Sequence, residues 1–76
     1  MSERLPAVRP REAVRALERA GFVVSRMSGS HCRLTRSGDQ TRHVTVPIHG
    51  DDLKRGTLRA IIAQAGLSVA EFIALL

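Results

Sequence analysis

The spacing of apolar positions along this chain changes from helical to alternating and back to helical. Ala13, Val14, Ala16, Leu17 and Ala20 fall on one face at helical spacing, with Arg11, Arg15, Glu18 and Arg19 mainly outside it. Pro10 suits a first helical turn, and Pro6 and Pro10 keep the helix from extending backward, so residues 1–8 read as a short lead-in. Gly21 stands where such a helix stops. Phe22-Val23-Val24-Ser25-Arg26 is aromatic and β-branched, too short for a second helix, and is followed by a glycine turn at Gly29; it reads as a first strand. A second strand over 31–36 alternates, sending His31, Arg33 and Thr35 to one face and Cys32 and Leu34 to the other. Ser37-Gly38-Asp39-Gln40 is a polar turn into a third strand over 42–47, in which Val44 and Val46 face inward. His43 and Thr45 then share the outward face with His31, Arg33 and Thr35, provided the hairpin keeps both apolar sets on one side. After a loop over 48–52, Leu53 to Thr57 lead into a second helix with Thr57 as N-cap. Leu58, Ile61, Ile62 and Ala65 form its buried stripe, and Gly66 ends it. Ser68 and Glu71 have capping-box spacing and open a last short helix, with Val69, Phe72, Ile73 and Leu76 available for packing.

The order αβββαα predicts an α+β fold: a three-stranded antiparallel sheet with helices packed on one face and the other face open. Seventy-six residues make one domain, 1–76, with a thin core. No apolar run approaches the ~20 residues of a membrane span, and the first residues show no signal-peptide pattern, so a soluble, cytoplasmic protein with no membrane partner is expected. Cys32 is the single cysteine. It can form no internal disulfide and has no CxxC neighbour, and its inward parity suits a small core residue. Asp51-Asp52 is the only close carboxylate pair, so neither a metal site nor a cofactor is expected.

Charge narrows the partners. The formal net charge is +5 and the pI about 11.4, carried by arginine at every basic position but Lys54, which favours a polyanion such as nucleic acid, or an acidic protein. Phe22 and Phe72 are the only aromatics of the Phe, Tyr and Trp class and both lie in apolar patterns, so no stacking platform for splayed bases exists. Nor is there helix-turn-helix spacing with an exposed recognition helix.

The candidate chemistry begins at His31. Its imidazole and the Arg33 guanidinium face the same way, two residues apart. An imidazole of ordinary pKa ~6.5 exchanges a proton near neutrality, and a guanidinium holds a phosphate oxygen in a fixed fork, a pairing suited to a phosphodiester. RNA carries its own nucleophile. A histidine could therefore deprotonate the 2′-hydroxyl for in-line attack without metal, leaving a 2′,3′-cyclic phosphate. His43, on the same face, is one candidate to protonate the leaving oxygen, and reads equally as a solvated strand histidine. His49, in the loop before the second helix, is the other, and reads equally as a loop-fixing hydrogen-bonding group. Lys54, Arg55 and Arg59 stand around the start of that helix, where the backbone N–H groups and dipole favour phosphate; they also read as a solvated charged turn.

Ala20-Gly21-Phe22, Gly29-Ser30-His31, Val44-Thr45-Val46-Pro47-Ile48-His49, Leu53-Lys54-Arg55-Gly56-Thr57-Leu58-Arg59-Ala60-Ile61 and Ala65-Gly66-Leu67-Ser68, in this order, closely resemble the HicA toxins of bacterial HicA/HicB toxin–antitoxin pairs. The resemblance covers nearly the whole chain. It implies a double-stranded-RNA-binding-domain-like fold, mRNA-cleaving endoribonuclease activity, catalysis by the histidine of Gly-Ser-His, here His31, and a HicB-type antitoxin that blocks the site. Many members carry a second histidine directly afterwards, where this chain has Cys32. Together the two readings give His31 as catalytic, His43 and His49 as auxiliary candidates, and Ser30, Arg33, Lys54, Arg55 and Arg59 as RNA-binding. A module that binds duplex RNA or protein without cutting is the alternative from another class; His31 is what it would not need.

Overall fold

The first helix, α1, spans Pro10–Arg19 and buries Ala13, Ala16 and Leu17, the apolar stripe of its sequence. The computed structural model describes residues 4–76, apart from the side chain of Gln40; residues 1–3 of the lead-in lie outside the described set. Next come β1 (Phe22–Ser28), β2 (His31–Arg36), β3 (Asp39–Pro47), α2 (Arg55–Ala65) and α3 (Val69–Ala74). The strands form one antiparallel sheet in the order β1-β2-β3. This is the expected α+β fold, like that of a double-stranded-RNA-binding domain.

The core lies between the sheet and the helices. Cys32, Leu34, Val44 and Val46 from the sheet, Leu17 from α1, Leu58, Ile61 and Ile62 from α2, and Phe72 from α3 are all buried in it. Each fully buried aliphatic or aromatic side chain contributes roughly 1.5–3 kcal/mol, so loss of any one is a large change for a domain of this size. No polar or charged side chain is buried among the described residues.

The caps show why the elements stop where they do. Gly21 and Gly66 take φ of 100° and 74°, the left-handed geometry that glycine adopts without strain, and Gly66 is the C-cap of α2. Ser68 and Glu71 form the capping box of α3. The Glu71 backbone N–H donates to Ser68 Oγ at 3.0 Å and the Ser68 N–H to Glu71 Oε1 at 2.7 Å. These bonds hold the Glu71 carboxyl below its ordinary pKa.

The structure departs from the sequence pattern at five places. The lead-in is not peripheral: Leu5 and Val8 are 2% and 1% exposed, and the Leu53 N–H donates to the Val8 carbonyl at 2.8 Å, so the segment closes one end of the core. Helix α2 begins three residues early, with Lys54 rather than Thr57 as N-cap, because buried Leu53 already anchors the chain. Strand β3 starts at Asp39, paired with Arg36 across a tight Ser37-Gly38 turn in which Gly38 has φ 85°. β1 runs two residues past Arg26. Leu75, not Leu76, packs on the core, and Leu76 is 43% exposed.

Two outcomes follow from the burial. Leu5→Ala should lower stability by about 2–5 kcal/mol, as for other core leucines, while exposed Arg15→Ala should change it by no more than about 0.5 kcal/mol; urea unfolding of the two variants checks this. Cys32 is 2% exposed, and burial, with a lesser push from the Glu18 carboxylate, raises its thiol pKa. Its reaction with a disulfide reagent at neutral pH should be slow in the native protein and fast in urea. Equal rates in the two conditions would show that the thiol is open to solvent.

Candidate active site

His31 is the first residue of β2, directly after the Gly29-Ser30 turn, where Gly29 takes φ 57°. Three contacts fix its position. It pairs with Ser28 on one side and Pro47 on the other, and the Ile48 N–H donates to the Ser30 carbonyl, tying the turn to the segment after β3. Because Cys32 and Leu34 point into the core, His31 and Arg33 stand on the opposite, helix-free face, and both are exposed. Cys32 thus lies across the sheet from His31 and cannot touch anything bound on the open face.

The register separates the two auxiliary candidates. His43 pairs with Thr35, four residues along β2 from His31, so the two histidines share a face but stand roughly 13 Å apart along the strand. Side chains rise roughly perpendicular to a sheet, so one phosphate is not shared between them. His43 lies instead beside Thr41, Arg42 and Gln64. His49 follows two residues after Pro47, the cross-strand partner of His31, and so belongs to the same end of the molecule. Its Nδ1 accepts a hydrogen bond from the Asp51 N–H at 3.2 Å. That bond fixes the loop and sets the neutral tautomer with its hydrogen on Nε2, a ring that can donate a hydrogen bond but not act as a general acid while the bond to Asp51 stands.

The same end collects the starts of both long helices. Arg9, the N-cap of α1, donates from Nη1 to the Gly50 carbonyl at 2.9 Å, and the loop carrying Gly50 runs directly into α2. The far end of α2 lies by the start of β3, since Arg42 Nη1 donates to the Gln64 carbonyl at 3.1 Å. Both long helices therefore start at the end of the sheet where β2 begins, on the face opposite His31. Lys54, Arg55 and Arg59 are exposed there, as is Ser30 in the turn.

Four of the arginines reach across the fold, and Arg4, Arg11, Arg15, Arg26, Arg33, Arg55 and Arg59 do not. Arg9, Arg19 and Arg42 donate to the carbonyls of Gly50, Leu75 and Gln64, and the Arg36 guanidinium lies 5.9 Å from the centre of the Phe22 ring. Those four hold the fold together. Arg9 Nε also lies 4.0 Å from Asp52 Oδ1, the only ion pair among the described residues. Arg26, Arg33, Arg55 and Arg59 make no side-chain hydrogen bond or ion pair among the described residues. Arg26 is the one the sequence pattern missed. It pairs with Arg33 across β1 and β2 because the register shifts between Val24 and Arg26, and alternation alone carries no signal of such a shift. No group of three or more His, Cys, Asp or Glu side chains is placed to hold a metal ion among the described residues. No described helix is long and apolar enough to cross a membrane.

No curated protein sequence matches this chain significantly. The family model for the HicA toxin of bacterial toxin–antitoxin systems matches residues 10–67, from the first residue of α1 to just past the Gly66 cap of α2 and including His31 and the basic start of α2. A match over so much of the chain, on a sheet and helices in this order, shows that the protein belongs to the HicA toxin family.

Proposed function

We propose that this toxin is a metal-independent endoribonuclease that acts on mRNA in the cytoplasm, with His31 as the general base. The observation that carries this reading is the exposure of an imidazole at the end of β2, on the same open face as the Arg33 guanidinium. His31 takes the proton of a ribose 2′-hydroxyl, the freed oxygen attacks the adjacent phosphorus, and the bond from phosphorus to the 5′-oxygen breaks. Arg33 stabilises the negative charge that builds on the phosphoryl oxygens. The leaving 5′-oxygen takes a proton from water, or from a doubly protonated His49 ring whose Nδ1 has released the Asp51 N–H. The products carry a 2′,3′-cyclic phosphate and a 5′-hydroxyl. Ser30 and the side chains of Lys54, Arg55 and Arg59 contact the flanking backbone.

His31→Ala should lower cleavage by about 10²–10⁴-fold and abolish growth arrest, with an unfolding midpoint close to that of the wild type, because the ring is exposed. Wild-type cleavage should persist in excess EDTA, and mass spectrometry should find cyclic-phosphate ends. A well-folded His31→Ala protein that still cleaves RNA removes His31 from the chemistry. Products with 5′-phosphate ends, or activity lost in EDTA, require a metal-dependent route.

The partner of the toxin is, on this reading, a HicB-type antitoxin that lays an acidic surface over the open sheet face and the start of α2. Charge reversal at Arg33, Arg55 or Arg59 should weaken both RNA and antitoxin binding, with association slowing as salt rises, whereas reversal at Arg15 should change neither. Paired titrations of each variant check this. Variants that lose RNA but keep full antitoxin affinity place inhibition on another surface.

A further inference from the structure

Strand β1 carries one residue more than β2 in the paired region. Val24 opposes Leu34, but the next matched pair is Arg26 with Arg33, so Ser25 is an inserted bulge residue. With regular pairing, Ser25 would oppose Arg33, and Arg26 would oppose Cys32 and point toward the helices. The bulge turns Arg26 onto the open face and sets it directly across from Arg33. The Ser25 hydroxyl donates to the Arg33 carbonyl at 3.2 Å and holds the bulge closed.

Two like charges directly opposite one another in a sheet destabilise it, so this pair contributes nothing to the fold. A bulge blunts an edge strand such as β1, which accounts for an irregularity there but not for an arginine being the residue it re-aims. Among the described residues no carboxylate lies within ion-pair distance of either guanidinium. Ser25, Arg26, Arg33 and Thr35 line an open depression of about 370 Å³. Two unneutralised forks around such a depression suit one anion, and a phosphodiester takes several N–H donors at once. Arg33 stands two residues, about 7 Å, from His31 along β2, a reach comparable to one nucleotide step.

From this arrangement, and resting on the reading of His31 as the cleaving residue, we propose that Arg26 and Arg33 form a subsite for the RNA phosphate next to the one attacked. The bulge at Ser25 creates it. The substrate strand then lies along β2 on the open face, with its scissile phosphate at His31 and its neighbour between the two guanidinium groups.

The test uses the full chain and a fluorescent 2′-O-methyl RNA hexamer, which lacks the nucleophile and cannot be cut. Arg26→Gln and Arg33→Gln should each weaken binding by about tenfold or more, as expected for losing a charged hydrogen-bonding partner. Each should also flatten the dependence of log affinity on log salt by about 0.7. The double variant should lose less than the product of the two, because both arginines hold one phosphate. A hexamer with a neutral methylphosphonate at the subsite position should bind the wild type weakly and be indifferent to Arg26→Gln. Arg15→Gln should bind like the wild type. Thermal unfolding of Arg26→Gln should be unchanged or slightly later, since a like-charge repulsion is removed. On unmodified RNA, Arg26→Gln should raise KM and leave kcat nearly unchanged.

Wild-type affinity and salt slope in Arg26→Gln, or no measurable hexamer binding by the wild type, overturns the subsite. If the wild type still cleaves RNA in that case, the nuclease reading stands alone. Binding that depends on Arg26 in a protein that does not cleave RNA supports the subsite and rejects the nuclease reading.

Discussion

Everything on the open face follows from the burial of two side chains on the other. Cys32 and Leu34 are locked between the sheet and the helices, and a strand has only two faces, so His31 and Arg33 must be presented to solvent. A slip of one residue in β2 would bury the imidazole and expose the core. The site is therefore held with the full rigidity of the hydrophobic core, although none of its side chains contributes to that core. The imidazole is thus fixed by its backbone rather than by hydrogen bonds of its own, which suits the proton transfer proposed for it.

A domain this small has few residues to spare, and its arginines are divided accordingly. Arg19 and Arg42 cap helix ends by donating to the carbonyls of Leu75 and Gln64, Arg9 binds the Gly50 carbonyl, and Arg36 covers Phe22. These guanidinium groups add polar ties between elements, two of them at places where the apolar core already joins β3 to α2 and β1 to β2. The excess of positive charge is thus only partly a substrate signal. Lack of a structural acceptor does not by itself mark a substrate contact, since Arg11 and Arg15 on α1 have none either; Arg26 and Arg33 are set apart by their place on the open sheet face.

Much of this was legible in the sequence, because hydrophobic periodicity is strong where burial is complete. The stripe Leu58, Ile61, Ile62 and Ala65, the bounds of β2 and the Ser68–Glu71 capping box all appear as read. The placement of His31 on the open face follows from the parity of Cys32 and Leu34 alone. The features that were not legible depend on distant partners. Leu5 and Val8 read as part of a short lead-in until the far side of the core requires them, and Lys54 caps α2 only because Leu53 is anchored elsewhere. The separation of His43 from His31 is a matter of register, which parity cannot supply. The position of Arg26 depends on a bulge, and residue order contains no mark of where one strand gains a residue on another.

That bulge has a consequence for how the family can vary. Substitution at an exposed strand position changes one side chain, but gaining or losing a single residue in β1 would exchange, all at once, which of its side chains stand on the open face and which face the helices. Ser25 is exposed on β1, an edge strand, so such a change would leave the pairing of β2 with β3 in place. Insertions and deletions in this strand, usually counted as damage, would thus re-aim the side chains of one edge of the open face while β2 and β3 keep their pairing.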